Sequence, residues 1–303
     1  MTFFELQSKF PTEQSVIQHF IHIRYGGGAC CLHCGSVKVY PKHTEPKNFY
    51  CNDCHNTFSV FKDTIFEKSS TSLVKWMYAI HLFLNGKKGV SGLQLMREIG
   101  VTYKTAWRML KQIRLAMGNS ETKQIFEAIV EMDETYVGGK PRKGNTGRND
   151  TEGEEQPKNK RGRGTKKTPV VAVVERSENK VHAKVALPDQ DGKKLSGKNL
   201  LQVLKEITQE GTTVITDEFR AYNILKSTNY VHLKVDHTRM FADGFVHTNN
   251  VESFWAVLKR GLYGIYHQVS PKYLQSYVDE FCFRHNNRRN PEVFDCLLKR
   301  CIK

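Results

Sequence analysis

The sequence predicts a multidomain chain of mixed α+β and α/β class: a cysteine-rich ribbon, a helical unit and a larger α/β domain. Three observations predict it. Two C-x2-C pairs, Cys31/Cys34 and Cys51/Cys54, stand sixteen residues apart near the N-terminus. Helical stripes of apolar residues fill the stretch from 72 to 117. From 125 onward short apolar runs alternate with helical segments, and two of the runs end on an acid.

Length and composition bound the reading. A chain of 303 residues has room for two or three domains. With 39% hydrophobic and 11% aromatic residues it can bury real cores, which excludes wholesale disorder. Its longest apolar runs, such as Val170–Val174, fall far short of the roughly 20 residues that cross a bilayer, so no membrane span is expected. The opening MTFFELQSKFPTEQ lacks the apolar centre of an export signal, and a soluble, cytoplasmic chain is expected. Lys and Arg number 46 against 31 Asp and Glu, a net +15, which points to a polyanionic partner because neutralising phosphates releases counterions.

In chain order, residues 1–28 read as a short helix. The two cysteine pairs follow, with Gly35 at a tight turn after the first. Strand-like alternation at Val37–Tyr40, Asn48–Tyr50 and Thr57–Val60 completes a ribbon. Cys31, Cys34, Cys51 and Cys54 at this spacing can surround one Zn²⁺ with four thiolates, leaving no open position, so the zinc is structural. Cys30 is an alternative first ligand, and His33 and His55 read as exposed loop residues. With no export signal, the eight cysteines do not favour a disulfide framework.

Ser72–Leu84 reads as a helix with Ser72 as its cap, Ser91–Ile99 as a second, and Thr102 to about Met117 as a third, after a turn at Gly100-Val101. This is the layout of a helix-turn-helix, and it would present Tyr103, Lys104 and Arg108 outward for major-groove reading of DNA.

The pattern then turns to strands. Ala128–Asp133 is an apolar run ending on an acid. A basic loop over 140–167, with ten Lys and Arg, four acids and five glycines, is expected to be mobile. A hairpin over 169–175 and 180–187 follows, then a helix over 195–210, a strand over 213–217 ending on Asp217, a strand over 230–235, and a long helix from Thr248 carrying Glu252. A closing helix from Ser270 ends in a polar, basic loop over His285–Asn290. That order is ribonuclease-H-like, with Asp133 and Asp217 at the ends of neighbouring strands and Glu252 reaching them from a packed helix. Clustered carboxylates repel unless a cation sits among them, and Mg²⁺ prefers such oxygens. Two such ions suit an in-line displacement at phosphorus. Lys259 lies two helical turns after Glu252, on the same face, where it can grip phosphate. The expected domains are 1–66, 67–122 and 123–303.

The chain resembles the DDE transposases of bacterial insertion sequences, specifically the group with an N-terminal zinc ribbon and an ISXO2-like transposase domain. Beside the cysteine pairs, the resemblance rests on Phe58-Ser59-Val60, Thr64-Ile65-Phe66, Lys75-Trp76, Leu93–Val101 and Lys104–Trp107. In the last domain it rests on Asp133–Gly139, Thr216-Asp217-Glu218, His247–Trp255 and Lys259-Arg260-Gly261. It implies that Asp133, Asp217 and Glu252 hold Mg²⁺ (or Mn²⁺), with Lys259 as helper. Asn249 and Asn250 remain second-choice ligands or substrate contacts, because some relatives use asparagine as the third residue. Glu134 and Glu218 adjoin the two aspartates, and His247 reads either as an orienter of water or phosphate or as structural. The resemblance further implies a DNA partner in two forms, the element's terminal inverted repeats and the target. It also implies Mg-dependent strand cleavage and transfer, a homodimer or larger assembly, and work at the nucleoid. The alternatives are a catalytically silent DNA-binding regulator and a nuclease that cuts without joining.

Overall fold

The computed structural model describes residues 1–118, 125–138, 167–186, 195–235 and 245–302. The basic loop expected over 140–167 lies outside the described residues except for Lys167. Two compact units emerge, one of residues 1–121 with 287–303, the other of residues 122–286. Among the described residues no helix is long and apolar enough to cross a membrane.

The first unit opens with two helices where one was expected, α1 (Phe3–Lys9) and α2 (Glu13–Tyr25). Pro11 separates them, and Thr2 and Thr12 each head a capping box that satisfies the exposed N–H groups of the helix start. The ribbon follows as three antiparallel strands in the order β1 (Val39–Pro41), β2 (Asn48–Cys51), β3 (Thr57–Ser59). Phe49 and Phe58 face each other across β2 and β3 with ring centres 6.1 Å apart, a cross-strand pair in a module with little other apolar content.

Three helices come next: α3 (Leu73–Asn85), α4 (Gly92–Ile99) and α5 (Tyr103–Gly118). Ser72 stands at the start of α3 as expected but does not cap it. Glu13 does: its Oε1 accepts the Leu73 N–H at 2.6 Å and the Ser72 hydroxyl as well. A carboxylate is the better partner for a helix N-terminus, where unpaired N–H groups concentrate positive charge. Ser91 and Thr102 cap α4 and α5 by accepting the N–H groups of Gln94 and Thr105. Gly100, at φ +60°, makes the left-handed turn between them.

The final helix, α9 (Val293–Ile302), belongs to this first unit. Asp295 pairs with Lys9 at 2.9 Å, Arg300 donates to the Met117 carbonyl at 2.9 Å, and Phe294, Leu297 and Leu298 are buried.

The second unit holds a five-stranded sheet in the order β6-β5-β4-β7-β8. Its strands are β4 (Ile129–Val137), β5 (Thr168–Glu175), β6 (Lys180–Val185), β7 (Thr213–Thr216) and β8 (Val231–Lys234). The β4–β5–β6 pairs are antiparallel, and β7 and β8 add in parallel on the other side of β4. On one face α6 (Gly197–Lys205) and a 3-10 helix (Arg220–Ser227) pack over Val130, Met132, Val171 and Val173. On the other, α7 (Asn249–Gly261) and α8 (Pro271–Asn286) cover Val170, Ala172 and Val174 of β5 and Val181, Ala183 and Val185 of β6. Strand β5 is apolar on both faces because both are covered. This is the ribonuclease-H-like arrangement.

Three local expectations need correcting. The run ending at Asp133 continues to Val137, because β5 pairs with β4 all the way to Val137 and Asp133 sits mid-strand opposite Ala172. The helix expected over 195–210 stops at Lys205, after which Thr208 bridges to Phe126 instead of continuing the turn. His285 and Asn286, expected in a loop, end α8: the Asn286 amide accepts from the Val181 N–H at 2.8 Å and donates to the Val181 carbonyl at 2.9 Å. It thereby covers one end of the free edge of β6, a row of backbone groups that would otherwise invite another strand. Gln275 of α8 covers the rest by accepting the Val185 N–H and donating to the Ala183 carbonyl.

Candidate metal centres and nucleic-acid interface

The ribbon gathers its cysteines as expected. The four sulfurs of Cys31, Cys34, Cys51 and Cys54 all lie within 4.8 Å of one another, and the Cys31–Cys54 and Cys34–Cys51 pairs are each 3.6 Å apart. A tetrahedron with Zn–S bonds of about 2.3 Å has edges of about 3.8 Å, so the quartet fits Zn²⁺. The Asn56 N–H draws the Cys54 thiol down to about 7, toward the thiolate a metal needs. The His33 N–H likewise points at the Cys31 sulfur at 3.4 Å. His55 hydrogen-bonds Tyr50 at 2.9 Å.

In the sheet, β4 and β7 run parallel with Glu131 opposite Ile215. Asp133 lies two residues further along β4 and Asp217 directly follows the last residue of β7, close enough for its charge to act on Asp133. The half-buried Asp133 carboxyl is pushed up to about 7, first by burial and then by the charges of Glu134 and Asp217. A carboxylate so disfavoured by its surroundings is the condition a bound cation relieves, and an all-oxygen donor set suits Mg²⁺.

Side-chain alternation separates the neighbouring acids. Asp133 faces α7, where Trp255 Nε1 donates to its Oδ2 at 2.9 Å. Glu134 takes the opposite face and accepts the hydroxyl of the buried Tyr222 at 2.9 Å. Asp217 accepts the Phe219 N–H at 2.9 Å, and Glu218 is exposed. Trp255 lies three residues after Glu252 and four before Lys259, so all three share one side of α7. Glu252 itself is exposed and accepts the Thr248 hydroxyl at 3.0 Å. Among the described residues the cysteine quartet alone has three or more ligand atoms converging tightly enough for one ion, and Glu252 is not drawn in with both aspartates.

One acid escaped the sequence reading. Glu131 is fully buried, two residues before Asp133 on the same face of β4. Its carboxylate accepts the Arg176 Nε–H at 2.7 Å, the Asn250 N–H at 2.9 Å, the Asn250 side-chain amide at 2.8 Å and the Val251 N–H at 3.2 Å. His247 lies 3.3 Å from it and contacts Arg176. The signal was an acid inside an otherwise apolar run.

In the first unit, Tyr103 and Lys104 are exposed at the start of α5. Arg108 is half-buried and donates to the Glu67 carbonyl at 3.3 Å. Trp107, which sequence reading passed over as an interface residue, is 37% exposed with the Lys111 ammonium 5.7 Å from its ring centre. An outward aromatic three residues after a lysine was the available clue.

Residues 126–286 match the ISXO2-like transposase domain, and residues 11–57 match the transposase zinc-ribbon domain. A protein of Halobacterium salinarum described as an uncharacterized protein in transposable element ISH50 is 30% identical over 290 residues, covering 93% of this chain and 94% of its own. An uncharacterized transposase-like protein of Haemophilus influenzae is 28% identical over 104 residues, covering 34% of this chain and 83% of that one. The chain belongs to the ISXO2-like transposase family. Among solved structures the Mos1 strand transfer complex aligns over 75% of this chain and 78% of that chain, at 12% identity and a TM-score of 0.30.

Proposed function

We propose that the chain binds the terminal inverted repeats of an insertion sequence and catalyses metal-dependent DNA strand cleavage and strand transfer. The observation that carries this reading is the meeting of β4, β7 and α7: Asp217, just past the end of β7, acting on Asp133 of the neighbouring strand, and Trp255 tying Asp133 to the side of α7 that bears Glu252 and Lys259. Asp133, Asp217 and Glu252 would hold the divalent ions, Mg²⁺ or Mn²⁺, whose chemistry when bound is activation of an attacking oxygen and stabilisation of a leaving oxygen at phosphorus.

The protein's own groups do the rest. Trp255 fixes the rotamer of Asp133, so its other oxygen has a defined direction. Lys259, two turns along from Glu252, grips a phosphate oxygen of the strand being cut. On the first unit, α4 and α5 act as a helix-turn-helix in which Tyr103, Lys104, Trp107 and Lys111 meet the DNA, with Arg108 supporting α5 through Glu67. Two element ends have to be brought together, so the working form is a dimer or larger assembly on nucleoid DNA.

The test uses the purified protein, DNA from the flanks of its own gene, Mg²⁺ and a target plasmid. Flank DNA joined to the plasmid only when Mg²⁺ is present is the expected result. Nicked flanks without joined products would make the chain a nuclease, and tight binding without cleavage would make it a regulator.

A further inference from the structure

Helix α7 carries both Glu252 and Lys259, so whatever fixes its start and its rotation fixes them. Its N-cap residue, Thr248, makes no side-chain cap. The first-turn N–H groups of Asn250 and Val251 would be left without partners, and Glu131 on β4 supplies one oxygen, Oε2, to both. The Asn250 amide takes the other oxygen together with Arg176. Arg176 then reaches past the carboxylate to the carbonyls of Phe245 and His247, in the segment leading into the helix.

The spacing of the two anchors matters. Along β4, Glu131 and Asp133 are two residues apart, roughly 6.7 Å of strand. Along α7, Asn250 and Trp255 are five residues apart, roughly 7.5 Å of helix. The two near-equal steps let the helix lie along the strand and engage both acids at once, one through its N–H groups and one through the indole. Glu252 falls between the anchors. At about 100° per residue it lies about 60° around the helix from Trp255, and Lys259 about 40°, so the rotation of α7 decides how near Asp133 either can come.

We propose that Glu131 is a positioning residue that, with Arg176, locks the start and rotation of α7 and thereby sets Glu252 and Lys259 against Asp133. The proposal rests on the metal-site reading above. An apolar residue at this buried position would serve packing as well or better, since buried ion pairs add little net stability over well-packed apolar groups. A buried carboxylate aimed at a helix start does what an apolar side chain cannot: it selects one helical register.

The test compares the full-length wild type with Glu131→Gln, a near-isostere that keeps the side-chain volume but puts a donor where the carboxylate accepts. Two readouts are taken without DNA joining: hydrogen exchange of the amides at 250 and 251, and Mn²⁺ affinity by electron paramagnetic resonance with end DNA present. In the variant the two amides should lose protection by about tenfold or more while the β5 amides at 170–174 keep theirs. Mn²⁺ affinity should fall about tenfold, the low end for groups that orient metal ligands from behind, with DNA affinity unchanged. Protection retained at 250 and 251 would overturn the proposal, and so would protection lost with Mn²⁺ affinity intact, because the clamp would then be purely structural. If Glu131→Gln does not fold, Arg176→Lys takes its place. It keeps the charge but cannot hold Glu131 and both carbonyls together, and the same two shifts are required of it. A wild type that holds Mn²⁺ but yields no joined DNA would sink the transposase reading while leaving the clamp measured.

Discussion

Asp217→Asn is expected to lower strand joining by at least about 10³-fold, some 4 kcal/mol of transition-state stabilisation, while end-DNA binding stays within a factor of about two. The substitution keeps the shape and the oxygen that accepts the Phe219 N–H at 2.9 Å, and it removes the charge. A loss of catalysis without a loss of fold or binding therefore reports the charge alone. Asp133→Asn should behave alike, since its carboxyl feels the charge of Asp217, which follows the adjoining strand. Comparing initial rates and melting temperatures of the two variants with wild type checks this. Wild-type rates in either variant would mean that the chemistry lies elsewhere. The third ligand is tested by Glu252→Gln. Retained activity there would shift the role to Asn249 or Asn250; Glu131 takes only the amide N–H of Asn250, not its oxygen.

The second large effect concerns the ribbon. Cys51→Ser removes a fully buried ligand at the end of β2, one with no neighbouring cysteine to step in, whereas Cys31 has Cys30 beside it. Structural zinc in such small modules is worth about 10–16 kcal/mol of apparent binding free energy, and little else holds the three short strands together. The expected outcome is loss of one zinc per chain by atomic absorption, and rapid proteolysis within residues 31–59. Chelation of the wild type should reproduce both. A Cys51→Ser protein that keeps its zinc and its resistance to protease would contradict the tetrathiolate assignment.

Much of the architecture was legible because it rests on local rules. The paired cysteines specify the ribbon by spacing, and the stripes at 72–117 specify three helices whose turn glycine, Gly100, takes the φ that other residues avoid. The sheet was legible from the order of its elements, three strands and then helix, strand, helix, strand and helix, and the ISXO2-like family membership agrees with it. What escaped reading depends on partners distant in sequence. Glu13 displaces Ser72 as the cap of α3 from 60 residues upstream of Leu73, and α9 finds its apolar partners in the first unit although it follows the second. Glu131 passed as one more residue of an apolar strand, because its partners Arg176 and Asn250 are 45 and 119 residues away. Long-range burial of a charge leaves no periodic trace.

The most direct test of the metal site is anomalous X-ray scattering from crystals of the protein bound to end DNA and grown with Mn²⁺. The ribbon zinc, at Cys31, Cys34, Cys51 and Cys54, serves as the internal standard. A manganese peak bounded by Asp133, Asp217 and Glu252, absent in Asp217→Asn, is the expected result. A strong zinc peak with no manganese between the aspartates, or manganese held by other residues, would contradict it.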